Sequence, residues 1–147
     1  MKALILGTNA GQADIISYLK QKGWEVHACG YRQEGPGCDL ADEFHLADTL
    51  DVGAVKELTK DIKPDIIYSV SSDSAIKTVT KVAEALGLPH FLNSELIDLF
   101  DHKEKLRLFL NDNEISKVGF MTLADLSELN RWTIFPCVVK PSDSQGQ

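Results

Sequence analysis

The sequence predicts an α/β fold built on a parallel sheet, and three features carry that expectation. A wholly apolar run, Ala3 to Leu6, stops at Gly7, as a strand buried on both faces does. Strand-like and helix-like segments then alternate as far as Pro89. The strongest apolar run, Ile66 to Val70, leads directly into Ser71, Ser72 and Asp73, residue types that cap helices.

The elements follow in order. Gly7-Thr8-Asn9-Ala10-Gly11 is the turn after the first strand. The next helix carries Ala13, Ile16 and Leu19 at helical spacing, has Lys20 and Lys22 near its end, and takes Gly23 as its left-handed stop. Trp24 to Cys29 reads as a second strand, which completes a right-handed βαβ unit. Gly30 to Gly37 holds three glycines and a proline and reads as a loop. Glu43 to Ala47 is a short strand. A helix from about Asp51 to Ile62 places Val52, Val55, Leu58 and Ile62 on one face. Lys63-Pro64-Asp65 turns the chain into the strand of Ile66, Ile67, Tyr68 and Val70. The helix after it turns Ile76, Val79, Val82, Ala83 and Leu86 inward and ends at Gly87 and Pro89.

After residue 93 the rhythm changes, so residues 1–93 are read as one domain and 94–147 as part of a second. Ser94 opens a short helix ending near Phe100. Asp101 with Glu104 three residues on has the pattern of a capping box for another helix, to about Leu110. Val118 to Leu123 and Phe135 to Lys140 read as strands, with a helical turn or two between Ala124 and Leu129.

Composition narrows the function classes. The net charge is −7 and the fifteen Lys and Arg gather nowhere, which argues against a nucleic-acid partner. Three cysteines, an odd number, read as reduced thiols of a cytoplasmic protein. No apolar run approaches the length that spans a bilayer, so no membrane partner is expected. Oligomeric state is open, and a homo-oligomer is one outcome.

Two clusters lie where an open parallel sheet binds ligands, beyond the carboxyl ends of its strands. The first is Gly7, Thr8, Asn9 and Gly11, a turn whose helix N-terminus, with bare backbone N–H groups, suits the acidic end of a substrate. Its spacing is G-x-x-x-G rather than G-x-G-x-x-G. The second strand ends in Cys29, Gly30, Tyr31 and Arg32 without the usual ribose-binding acid, which disfavours a nicotinamide site. Arg32 is the one candidate there for a 2′-phosphate. The plainer reading is that a tight strand-to-helix turn needs glycine. The second cluster is Ser71, Ser72 and Asp73, for which simple helix capping is an equal alternative. His27, Cys29, Cys38 and His45 fit no compact zinc spacing, and His27 and Cys29 share one short strand, so no metal site is assigned. His102 beside a helix start reads as solvated.

The chain closes on FPCVVKPSDSQGQ, in which an apolar strand delivers Lys140 into a loop of small residues. A cation on a strand before such a loop suits nucleotide phosphates. Lys103 lies early in the helix after Asp101, where a solvated helix face is the ordinary reading; Lys140 some forty residues on raises its interest.

The order of these features, a glycine-turn βαβ domain, then DHKEKLRLFL, then FPCVVKPSDSQGQ, resembles the ATP-grasp superfamily over the whole chain. The resemblance is to a Rossmann-like preATP-grasp domain joined to the start of the ATP-grasp domain. It is similar in flavour to the carbamoyl-phosphate synthetase large subunit, biotin carboxylase and the purine-pathway carboxylate ligases. It implies an enzyme that uses ATP and Mg2+ to phosphorylate a carboxylate, after which a nitrogen or other nucleophile displaces phosphate. It also implies that Lys103, Lys140, Ser142, Ser144, Gln145 and Gly146 contact ATP; Gly7, Thr8, Asn9, Gly11, Ser71, Ser72 and Asp73, by their place beyond the strand ends, are the candidates to bind a small carboxylate substrate. The loop has one glycine where many relatives have several, and the family's magnesium-binding acids are missing. The expectation is therefore the N-terminal part of a truncated ligase, with the rest of the ATP-grasp domain as its partner, no tightly bound cofactor and no turnover by itself. An NADP- or nucleotide-binding domain of an oxidoreductase, and a non-catalytic interaction module, are the alternatives.

Overall fold

The computed structural model describes residues 1–141, which fall into two compact units, Met1–Ser94 and a second from Glu95 onward. The first unit is built on four parallel strands, β1 (Lys2–Leu6), β2 (Glu25–Gly30), β3 (Glu43–Leu46) and β4 (Ile66–Tyr68), in the order β3-β2-β1-β4. The helices between and after them are α1 (Ala10–Gln21), α2 (Pro36–Leu40), α3 (Val52–Ile62) and α4 (Asp73–Leu86).

Alternation along the strands sorts their side chains onto two cores, one on each face of the sheet. Leu4, Leu6, Cys29 and Ile67 meet Val55 of α3 and Val79, Val82 and Ala83 of α4. Ala3, Ile5, Val26 and Ala28 meet Ile16 and Leu19 of α1. Each fully buried Leu, Ile or Val among them contributes about 1.5–3 kcal/mol relative to exposure. β1 lies between β2 and β4 and is covered on both faces, which is why its sequence is apolar without alternation.

The helix ends follow local chemistry. Asn9 caps α1, Asp51 Oδ1 accepts from Ala54 N at 3.0 Å to cap α3, and Ser72 Oγ accepts from Ala75 N at 3.3 Å to cap α4. Gly23 (φ +78°) follows α1 in the left-handed region, as expected, and Gly87 (φ +68°), expected to end α4, closes it in the same conformation. α3 instead stops on Lys63 in the left-handed region. Two expectations change in detail. The segment read as one loop from Gly30 ends in a short helix that starts at Pro36, a residue preorganised for a first helical turn. The last strand stops at Tyr68, and the carbonyl of Val70 accepts from the Gln12 side chain instead of a neighbouring strand.

The second unit holds α5 (Ser94–Asp101, whose first residue closes the first unit), α6 (Lys103–Asp112) and a 3-10 helix (Leu126–Arg131). The capping box expected at Asp101 is displaced. Asp101 closes α5, and His102 stands at the start of α6 without a side-chain capping bond. Neither expected strand forms among the described residues. Val118 gives its backbone N–H to Asn111 Oδ1 at 3.1 Å and its carbonyl accepts from Asn111 Nδ2 at 3.2 Å, so one amide side chain takes the bonds a ladder would use. Residues 135–140 are irregular, with Val138 and Val139 exposed and no strand among the described residues of this unit to pair with. No helix among the described residues is long and apolar enough to cross a membrane.

Candidate functional site

Three loops meet at the carboxyl ends of the strands in the first unit. The turn after β1 is fixed by its neighbours on both sides. Gly7, at φ +98°, donates its N–H to Cys29 O at 2.8 Å. Thr8 Oγ1 donates to Glu34 O at 2.7 Å, and Gly37 N donates to Thr8 O at 2.8 Å. The approach is so close that a Cβ on Gly35 would lie 2.5 Å from the Thr8 carbonyl oxygen, which explains the glycines of this loop better than flexibility does. On the other side, the buried Gln12 accepts from Asn9 N at 3.1 Å through Oε1 and donates from Nε2 to Val70 O. Ser69 Oγ donates to Leu6 O at 2.8 Å. The ends of β1, β2 and β4 are thus tied together by polar side chains rather than by apolar packing.

Above this floor lies an open depression of about 540 Å³. The turn contributes Gly7, Thr8 and Asn9 to its lining, the loop after β2 contributes Tyr31, Arg32 and Glu34, and Thr49 closes the rim. Its size falls within the range of small-molecule sites. The Arg32 guanidinium carbon stands 5.2 Å from the Tyr31 ring centre, which braces a fixed cation beside the hollow. A smaller hollow of about 230 Å³, lined by Lys63, Pro64, Leu86 and Leu88 among others, sits at the C-terminal ends of α3 and α4 and gathers no convergent polar groups.

The turn differs from its sequence reading in one respect. The N-terminus of α1 does not present bare N–H groups: Asn9 Oδ1 accepts from Gly11 N at 3.0 Å and from Gln12 N at 3.4 Å, in a full capping box with Gln12. An anion in the depression would meet Arg32, the Thr49 hydroxyl and the Asn9 amide, with the Glu34 side chain also in the lining, rather than an uncapped helix end.

Gly7, Thr8, Asn9 and Gly11 share one turn, and Gly11 lies against Ser71: a Cβ there would stand 2.6 Å from Ser71 Oγ. Ser71, Ser72 and Asp73 follow β4, the strand beside β1, but do not line the depression, and Ser72 serves as the cap of α4. In the second unit, Lys103 is the first residue of α6 and half-buried, and Lys140 is exposed in an irregular segment. Ser142, Ser144, Gln145 and Gly146 lie outside the described residues. His102 turns Nδ1 to Asp98 O at 2.9 Å, and Lys105 pairs with Asp98 at 2.7 Å.

The four residues set aside as zinc ligands do not converge as a set. Cys29 is buried in the core, where desolvation pushes its thiol up to about 12, and Cys38 Sγ donates to Glu34 O at 3.1 Å. His27 and His45, however, are neighbours across β2 and β3. Reasoning from sequence also missed Gln12, Tyr31, Glu34 and Thr49. Gln12 alone carried a usable signal, the Asn-x-x-Gln spacing of a capping box.

Comparison with known proteins agrees with this fold. No family model matches the chain. The formate-dependent phosphoribosylglycinamide formyltransferase of Bacteroides thetaiotaomicron is 29% identical over 154 residues, covering 99% of this chain and 39% of that protein. Among solved structures, the L-amino acid ligase from Bacillus licheniformis superposes with a TM-score of 0.79 at 20% identity, over 97% of this chain and 37% of that one. The N5-carboxyaminoimidazole ribonucleotide synthetase from Thermotoga maritima gives 0.74 at 21%, over 92% and 37%. The biotin carboxylase domain of the Hydrogenobacter thermophilus 2-oxoglutarate carboxylase, solved with MgADP and bicarbonate, gives 0.71 at 15%, over 88% and 31%. These proteins are ATP-grasp enzymes, and this chain matches their N-terminal part in an α/β fold with a four-stranded parallel sheet. The chain spans about 39% of the length of the curated relatives it matches.

Proposed function

We propose that this chain is the substrate-facing N-terminal part of an ATP-dependent ligase that activates a carboxylate as an acyl phosphate and passes it to a nitrogen or related nucleophile. The observation that carries this reading is the polar floor beneath the depression, where the loops after β1, β2 and β4 are locked together through Thr8, Gln12 and Glu34. A match along 99% of the chain to a formate-dependent phosphoribosylglycinamide formyltransferase supports it. The nicotinamide alternative lacks support: the depression holds neither the G-x-G-x-x-G turn nor an acid at the end of β2.

In this reading residues 1–93 form the preATP-grasp domain and the segment from 94 begins the ATP-grasp domain. Thr8, Asn9 and Thr49 offer hydrogen bonds to a small polar substrate, and Arg32 neutralises an anionic group on it. Gly7 lines the hollow beside the ligand, and Gly11, packed against Ser71, acts behind it with Ser71, Ser72 and Asp73, holding the turn and α4 in place. ATP and Mg2+ belong to the whole enzyme. Lys103 and Lys140 suit phosphate oxygens as compact charges that follow negative charge during transfer, and Ser142, Ser144, Gln145 and Gly146 are the further candidates for contact with ATP.

The test is an equilibrium titration of the folded chain with phosphoribosylglycinamide, a panel of amino acids, and NADPH. Saturable binding of one of the ligase-type substrates, weakened about tenfold or more by Arg32→Ala if the ligand is anionic, is the expected result. Tight NADPH binding with no response to the others would overturn the ligase reading.

A further inference from the structure

The β3 edge of the sheet gathers groups that the ligase reading does not use. In the register of β2 against β3, His27 lies level with Glu43, and Cys29 with His45. Strand alternation sends His27, Glu43 and His45 to the same face of the sheet. There His27 Nδ1 stands 2.8 Å from His45 Nε2, with Glu43 Oε2 3.7 Å from the former and Glu43 Oε1 4.0 Å from the latter. One ligand atom from each residue falls within 4.8 Å of the other two.

The outer nitrogen of His27 is occupied. Its Nε2 lies 2.8 Å from Glu25 Oε1, which also pairs with Lys2 Nζ at 3.0 Å. A carboxylate only accepts, so the His27 proton sits on Nε2 and the Nδ1 lone pair faces His45 and Glu43. This is the arrangement by which a carboxylate orients a metal-binding histidine. His27 is fixed in place, with its side chain 6% exposed, whereas His45 is 19% and Glu43 61% exposed, which leaves an entry path on the Glu43 side.

We propose that His27 Nδ1, His45 Nε2 and the Glu43 carboxylate form a binding site for one divalent transition-metal cation of the zinc class, with Glu25 as the positioning residue. Zinc bonds of about 2.0–2.2 Å at tetrahedral angles set donor atoms roughly 3.3 Å apart. The two histidine nitrogens therefore open by about 0.5 Å, and a single carboxylate oxygen, within 4.8 Å of both, closes by up to about 1.5 Å. His45 and Glu43, on the short edge strand, have the freedom to do both. Without metal, His45 Nε2–H donates to His27 Nδ1, so the cation takes the place of that hydrogen, which moves to His45 Nδ1 as the imidazole changes tautomer. Two imidazoles and one carboxylate select zinc, cobalt or iron over calcium and magnesium, which prefer all-oxygen sites. Three protein ligands leave at least one position for water.

The experiment titrates Zn2+ into the 147-residue chain carrying Cys38→Ser and Cys137→Ser, which removes adventitious thiolate binding, with competition against a chromophoric chelator as the readout. One equivalent is expected to bind. Affinity should fall at least tenfold in His45→Gln and in Glu43→Gln, and about tenfold in Glu25→Gln with stoichiometry unchanged. Both ligand variants lie on the exposed edge, and circular dichroism checks their fold. Independently, nitrogen NMR of the imidazoles should show Zn2+ shifting His27 Nδ1 and His45 Nε2 while His90 and His102 stay put. Absence of binding, binding indifferent to His45→Gln and Glu43→Gln, or ring shifts spread equally over all four histidines would each overturn the proposal.

Discussion

Replacing Gly11 with alanine separates packing from propensity by the sign of its effect. Gly11 is the second residue of α1, and in an unobstructed helix Gly→Ala stabilises by up to about 1 kcal/mol. Here the added Cβ would lie 2.6 Å from Ser71 Oγ and 2.9 Å from Ser71 Cβ. Carbon atoms prefer about 3.5–4.0 Å. Rotating the Ser71 hydroxyl relieves the first contact and leaves the second, because Cβ is fixed to the backbone. Overpacking of this kind costs about 1–3 kcal/mol, or about 2 at mid-range, so after the propensity gain the net expectation is destabilisation centred near 1 kcal/mol and reaching about 2. For a unit of this size that is a fall in Tm of roughly 4–15 °C. Ser71 has φ +59°, so Ser71→Gly removes the obstacle and relieves left-handed strain of about 1 kcal/mol, against a similar entropic cost in the unfolded chain. Alone it should be nearly neutral; combined with Gly11→Ala it should restore stability, with a coupling energy above about 1 kcal/mol. The assay is thermal and urea unfolding of the four chains of the double-mutant cycle. A Gly11→Ala chain more stable than the parent, or strictly additive effects, would refute the claim that the β1 turn is pressed against the end of β4.

Gln12→Leu keeps the volume but strips the bonds to Asn9 N and Val70 O, so stability should drop by about 2–4 kcal/mol in urea unfolding; a loss under 1 kcal/mol would mean water replaces both. Asp42 takes Lys20 Nζ at 2.8 Å and Val26 N at 2.8 Å, the Lys20 bond being the larger cause of its lowered pKa. A depressed folded pKa gives stability that is present above the ordinary carboxylate value and lost as pH falls through the folded one. Asp42→Asn should therefore be less stable than the parent at neutral pH, by no more than about 1 kcal/mol since the pair is half-exposed, with the gap closing in acid; a pH-independent gap contradicts the assignment. Cys29, buried and pushed up to about 12, should resist thiol reagents in the native chain at pH 8, while the exposed Cys137 reacts at once; mass spectrometry of the labelled peptides reads this directly.

Much of the first unit was legible because its chemistry is local. Apolar runs such as Ala3–Leu6, caps such as Ser72, and stops such as Gly87 announce themselves within a few residues. The site was less legible because its parts meet only through register and loop contact. Gly35 matters because the Thr8 carbonyl lies beside it, and His45 meets His27 because β3 pairs with β2 in one register. The strands read at Val118–Leu123 and Phe135–Lys140 show the opposite failure. An apolar run supplies strand propensity, but a strand also needs a partner, and at Val118 the Asn111 amide takes that place.

The most direct measurement is an amide NMR map of the chain during titration with the ligase-type substrate that binds it best. Shifts concentrated at Thr8, Asn9, Tyr31, Arg32, Gly35 and Thr49 are the predicted result, since these residues line the depression over the strand ends. Saturable binding whose shifts fall elsewhere, with this set unmoved, would contradict the assignment of that depression as the substrate site.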